Sequence, residues 1–147
     1  FKAGNFSRHS PISSDSSFEL DKLTHTKKLA TWAIPKDRGK RYAKITGDYN
    51  PIHMSPLLAK LFGLKRDIAH GFGVLAQALA HANNNSGLLN ANSNNHNTIQ
   101  LDVIFKGPVY LESEVHLQQD AGANSTRLDV YCGNNPKPSI CLAISNT

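Results

Sequence analysis

Two cysteines, one methionine and one tryptophan are all that this 147-residue chain holds of those types, and aromatic residues make up only 7% of it. Two thiols cannot build the multi-bridge framework of a small stapled domain, and a chain of this length buries about two thirds of its unfolded surface, so a hydrophobic core suffices. No run reaches the roughly eighteen apolar residues of a membrane span, and no basic segment followed by an apolar one opens the chain. The protein is therefore expected to be soluble, unexported and cytoplasmic, with no membrane partner. Acid is the minority charge: eleven Asp and Glu face sixteen Lys and Arg, a net charge of +5. That surplus suits a polyanionic ligand such as a phosphorylated cofactor, but the charges read as scattered rather than clustered. With neither a basic helix nor an aromatic stripe, a nucleic-acid partner is not expected. No Cys or His cluster has ligand spacing, and His70 and His81, three turns apart on one helix, would stand about 16 Å apart, too far to share an ion. Neither a metal nor a cofactor is expected.

What is present reads as one domain over 26–147, preceded by an irregular lead-in at 1–25 that begins at Phe1 and is Ser-rich from Ser7 to Ser17. KKLATWAI, Lys27 to Ile34, is β-branched and aromatic, is stopped by Pro35, and reads as a strand. PKDRGKRYAKITG reads as a short helix with Tyr42 and Ile45 inward, weakened by Gly39 and ended by Gly47. Ser55-Pro56 starts a second short helix, with Leu57, Leu58, Leu61 and Phe62 as its apolar face and Gly63 as its end. Gly71 to Ala82 is apolar nearly all round, which predicts a helix buried on most sides. Asn83 to Asn97 lacks periodicity and predicts a solvent loop with a turn at Leu88-Leu89.

From Thr98 on, apolar residues recur every second position: Ile99 to Phe105, Val109 to Leu117, Leu128 to Cys132 and Ile140 to Ile144. Breaks at KGP, DAGAN and GNNPKP predict hairpins, hence an antiparallel meander wrapped around the buried helix and an α+β class. The last turn would set Cys132 and Cys141 opposite each other. A disulfide is conceivable there, although reduced buried thiols are the expectation for this chain.

One stretch concentrates chemistry. TGDYNPIHMSP, Thr46 to Pro56, places Asp48 and His53 five residues apart, a separation of roughly 17 Å if the chain were extended. Gly47 as a helix stop and Asn50-Pro51 as a helix start would fold that distance into a turn, with a carboxylate and an imidazole facing one small pocket that holds a water or a substrate atom. A capped turn with both side chains on the surface has the same local pattern. His70-Gly71 stands where the apolar helix begins, and its first N–H groups lack intrahelical partners, so an oxygen gaining negative charge could bind there. A plain helix start again looks the same.

The segments YAKITGDYNPIH, LAKLFGLKRDIAHGFGV and VIFKGPVYLESEV together closely resemble the MaoC-like dehydratases, the R-specific enoyl-CoA hydratase family, over roughly Trp32 to Leu117. The Gly-Asp-x-Asn-Pro-Ile-His turn is intact at Gly47 to His53, and the Ile-x-His-Gly helix start at Ile68 to Gly71. The resemblance implies a hot-dog fold and a hydro-lyase that reversibly hydrates trans-2-enoyl thioesters to (R)-3-hydroxyacyl thioesters, with a role in fatty acid metabolism. It implies Asp48 and His53 as the catalytic pair that activates water, and the Gly71 N–H as donor to the thioester carbonyl. Asn50, Ile68, His70 and Phe72 are implied as substrate-binding residues, with Asn50 shaping the pocket. Coenzyme A or an acyl carrier protein would carry the thioester, and a homodimer or a second hot-dog half would complete the assembly.

The wording from Trp32 to His53 looks especially like the C-terminal, catalytic half of double hot-dog members, which would make Phe1 to His25 the remnant of an upstream half or linker. Two departures stand out. Thr46 replaces a frequent Ser but keeps the hydroxyl, and the Asn-rich segment has no counterpart in the family pattern, which leaves acyl chain length open. The rival reading is a non-catalytic acyl-thioester binding or scaffold module of the same fold. A thioesterase on that fold is a further enzyme reading, to which the Asn-Pro-Ile-His turn lends no support.

Overall fold

The computed structural model describes residues 26–87, 99–121 and 125–146. Five strands, β1 (Lys27–Ala33), β2 (Ile99–Phe105), β3 (Glu114–Ala121), β4 (Ser125–Cys132) and β5 (Ile140–Asn146), form one sheet in the order β1-β3-β4-β5-β2. Every neighbouring pair is antiparallel. The breaks at DAGAN and GNNPKP join neighbours, β3 to β4 and β4 to β5. The break at KGP does not make a hairpin: β2 lies at the far edge of the sheet against β5, and β1 takes the place beside β3. Alternation marks a residue as strand but carries no information on its partner, so the meander expectation fails at that one connection.

Alternate side chains of the sheet, among them Val115, Leu117, Leu128, Val130, Ile140, Leu142 and Ile144, pack with Val74, Leu75, Ala78 and Ala82 of α3 (Gly71–Ser86) into one core. This is the hot-dog arrangement. The helix buries one face rather than most of its circumference, since Phe72, Ala76 and Ala80 are exposed. It also runs past Ala82: Asn83 to Ser86 continue it, with Asn85 Nδ2 donating to the His81 carbonyl and the Ser86 hydroxyl to that of Ala82. Gly87, left-handed at φ 60°, ends it. Of the expected loop, residues 88–97 lie outside the described residues, as does the 1–25 lead-in.

Between β1 and α3 the chain forms a helical cap of α1 (Arg38–Thr46), a 3-10 turn (Pro51–His53) and α2 (Pro56–Leu61). Its apolar patterning is misleading. Ile45 is exposed rather than inward, and the stripe of α2 points away from the core. The cap packs through small residues instead, Gly39 and Ala43 on α1 and Ala59 on α2. The cysteines are free and buried, as expected. They are not opposite each other, because the register pairs Cys141 with Asp129. Cys132 belongs to the core, whereas Cys141 alternates with the core residues Ile140 and Leu142 and so faces the other side of the sheet. Burial pushes the Cys141 thiol pKa up.

Candidate active site

Local hydrogen bonds fold the turn after α1. Gly47, at φ 75°, ends the helix, and its N–H reaches the Ala43 carbonyl at 2.8 Å. The Thr46 hydroxyl donates to the Tyr42 carbonyl at 3.0 Å and accepts the Asp48 N–H at 3.3 Å. Asp48 Oδ1 then accepts the Asn50 N–H, and Asn50 Oδ1 the Ile52 N–H, both at 3.2 Å. Each is a short polar side chain bonding backbone two residues on, the behaviour that makes these residue types turn-formers.

The second half of the site is held from further along the chain. The Ala69 N–H reaches the Val109 carbonyl at 2.7 Å and the Leu111 N–H reaches that of Asp67 at 3.1 Å, which ties the lead-in of α3 to the chain before β3. Ile68 joins this lead-in to the cap: its N–H donates to the Ile52 carbonyl at 3.0 Å, and its own carbonyl lies 2.8 Å from His53 Nδ1. A carbonyl only accepts, so Nδ1 carries the proton and Nε2 of the neutral ring keeps a free lone pair.

His70 sits between the two catalytic candidates. Its Nε2 donates to the Asp48 main-chain carbonyl at 3.1 Å and lies 3.5 Å from Oδ2 of the same residue. Its ring stacks on that of His53 at 3.7 Å between centroids and packs against Tyr42 at 4.6 Å. Nδ1 is buried without a hydrogen-bond partner among the described residues. Burial lowers the His70 pKa, the bond to Asp48 opposes that shift, and the neighbouring His53 adds to it. Folding therefore favours the neutral ring. Its contribution to stability is complete above about pH 6.5 and is lost as pH falls through the lowered folded value. Thermal midpoints should accordingly fall more steeply in the wild type than in His70→Gln as the pH drops below about 6.5. Parallel profiles by circular dichroism would remove His70 as the source.

Two cavities meet here. One, of about 520 Å³, is mostly apolar, with Leu64, Ile68, Phe105, Pro108, Val109 and Ile140 in its wall. The other, of about 260 Å³, is lined by Tyr42, Thr46, Asp48, His53, His70, Gly71 and Phe72. His53, Gly71 and Phe72 belong to both. Of the residues expected at the site, Asp48, His53, His70, Gly71 and Phe72 converge on this junction, and Ile68 adds apolar wall. Asn50 lines neither cavity and caps the 3-10 turn instead. Sequence reading missed Tyr42 as a site residue and Gly39 as the contact between α1 and the His53 backbone.

The absence of ligand spacing in the sequence did not keep potential ligands apart, since Asp48, His53 and His70 bring one ligand atom each within 4.8 Å of one another. The set does not suit an ion. The two imidazoles are stacked with planes 26° apart, so their in-plane lone pairs run side by side rather than converging on one ion.

The family model of the MaoC like domain matches residues 16–130. The chain belongs to this family. It is 52% identical to the 3-hydroxyacyl-thioester dehydratase X of Mycobacterium tuberculosis over 42 residues, which is 29% of this chain and 15% of that protein. The crystal structure of HtdX from M. tuberculosis superposes with a TM-score of 0.65 at 27% identity, over 82% of this chain and 48% of that one. The chain thus spans about half the length of that relative. The (R)-hydratase of A. caviae, involved in PHA biosynthesis, shares the fold at a TM-score of 0.61 and 16% identity, over 86% of this chain and 96% of that one.

Proposed function

We propose that this domain is a hydratase and dehydratase of 2-enoyl and (R)-3-hydroxyacyl thioesters, the substrate being carried on coenzyme A or an acyl carrier protein. The single observation that supports it best is the junction of the cavities: an apolar space suited to an acyl chain meets a polar one holding a carboxylate and a free imidazole nitrogen, at the first turn of α3. A water between Asp48 and His53 adds through oxygen to C3 of the enoyl group as Nε2 of His53 takes its proton. The electron pair moves onto the thioester oxygen, where the Gly71 N–H meets the developing enolate. The proton then returns to C2, so that water adds across the double bond. The relatives named as thioester dehydratase and (R)-hydratase support the same reaction class. Against a scaffold role stands the intact pair, which binding alone does not need.

Mixing the protein with crotonyl-CoA and with the crotonyl carrier protein, and following the enoyl absorbance, tests this reading. A well-folded chain inert on both sinks it. The oxyanion assignment has its own test in Gly71→Ala. The added Cβ would lie 2.8 Å from the Phe105 ring, so either the ring or the helix start must shift. Alanine keeps its N–H, so only misplacement acts, and kcat should fall roughly tenfold to a hundredfold for a displacement of about 1 Å, with KM nearly unchanged. Adding Phe105→Ala should restore much of kcat by relieving the contact. A loss confined to KM would place Gly71 in ground-state binding instead.

Pairing completes the proposal. β2 is an edge strand with Leu101 and Phe105 exposed, which favours a homodimer or a second hot-dog half in a longer chain. A monodisperse monomer by light scattering, from a chain without a second half, would count against it.

A further inference from the structure

Positive charge is concentrated on the cap rather than scattered, a correction to the reading of the sequence. Residues 34–70, between β1 and α3, hold eight of the sixteen basic side chains but three of the eleven acidic ones, Asp37, Asp48 and Asp67, a surplus equal to that of the whole chain in a quarter of its length. Lys36, Lys40, Lys44, Lys60 and Lys65 are exposed and make no ion pair among the described residues. Lys60 and Lys65 lie within and just after α2, where Leu57, Leu61 and Phe62 are 70%, 77% and 65% exposed, while α1, with Lys40 and Lys44, packs through Gly39 on the same 3-10 turn that α2 contacts. Leu57 and Leu61, like Leu58 and Phe62, are four residues apart and so share a helix face. An exposed apolar patch rimmed by polar side chains marks an interaction site.

We infer that the α1 and α2 face of the cap docks an acidic carrier protein bearing the thioester. The inference rests on the reaction proposed above and names the carrier. A nucleotide carrier offers phosphates to the lysines but nothing to a row of exposed leucines. A second copy of this chain would set like charge against like charge in a two-fold contact. Position argues the same way. Tyr42 and Thr46 of α1 line the polar cavity, and Leu64, two residues beyond Phe62, lines the apolar one. A carrier seated on both helices is therefore close to residues that line the two cavities into which a tethered acyl chain must reach.

The test uses the full chain and its Lys40→Glu, Lys60→Glu and Leu61→Ser variants, none of them at the cavities, with crotonyl groups on coenzyme A and on acyl carrier protein. For the carrier-protein substrate, kcat/KM should fall about tenfold or more in each variant through KM, and more steeply with salt in the wild type than in the lysine variants. Crotonyl-CoA kinetics should stay within about twofold. Equal losses on both carriers, or no loss on either, overturn the inference. So does wild-type sedimentation with phosphatidylglycerol vesicles that Lys60→Glu abolishes, which would make this a membrane face, and so does a change of oligomeric mass in Leu61→Ser. If the wild type hydrates neither substrate, the reaction is wrong and docking is read directly: calorimetry with the unacylated carrier protein should give binding in the wild type and none in Lys60→Glu.

Discussion

Asp48→Asn and His53→Ala are each expected to lower hydration by about two to four orders of magnitude, the range for a lost general acid or base. The two changes differ in what else they disturb. Asn at 48 keeps an oxygen to accept the Asn50 N–H, and the main-chain carbonyl that receives the His70 proton is untouched, so the fold should melt close to the wild type. Ala at 53 also removes the bond to the Ile68 carbonyl and the ring stacked on His70. Some stability should go with it. On the proposed mechanism both residues act on one water, so the double variant should be scarcely worse than the worse single one. Stopped-assay rates on all four proteins, normalised to folded fraction, decide this: losses that multiply mean two independent contributions, and near-normal turnover in Asp48→Asn removes the carboxylate from the chemistry.

The parts of this site that were legible in the sequence are those built by neighbours. Thr46, Asp48 and Asn50 each bond backbone within a few residues, and Gly47 stops α1 where left-handed backbone is needed, whereas Gly87, which ends α3, was hidden in what read as a loop from Asn83 to Asn97. The core face of β3 to β5 was legible for the same reason, because alternation is local. What depends on distant pairing was not. The partner of β2 is fixed by sheet assembly, and the contact of His70 with Asp48 spans 22 residues. The stripe of α2 has the period of a core-facing helix yet faces outward. Periodicity tells which residues share a face, not what that face meets. The charge enrichment before α3 was countable in the sequence, and what the fold adds is that the same segment lines the cavities through Tyr42, Thr46 and Leu64.

Gly39 puts the local and the distant readings in direct conflict. Within a helix, Gly→Ala ordinarily stabilises by up to about 1 kcal/mol, because alanine loses less backbone freedom, so the sequence alone predicts a gain from Gly39→Ala. The structure predicts the reverse. A Cβ at position 39 would stand 1.9 Å from the carbonyl oxygen of His53 and 3.0 Å from its carbonyl carbon. Both are backbone atoms, so no side-chain rotation relieves the overlap and α1 must lift from the turn that carries His53. Overpacking of this kind costs roughly 1 to 3 kcal/mol, which outweighs the propensity gain and lowers the thermal midpoint by several degrees. Activity should suffer more than stability. A shift of about 1 Å in His53 is enough for a hundredfold loss, and the same movement pulls Tyr42 and Thr46 out of the polar cavity. Lys40→Ala, one residue on and facing solvent, supplies the comparison, since it raises helix propensity without touching the turn. Thermal melts and crotonyl-CoA hydration rates of both variants decide it: a Gly39→Ala protein more stable than the wild type and fully active would mean that α1 does not bear closely on His53.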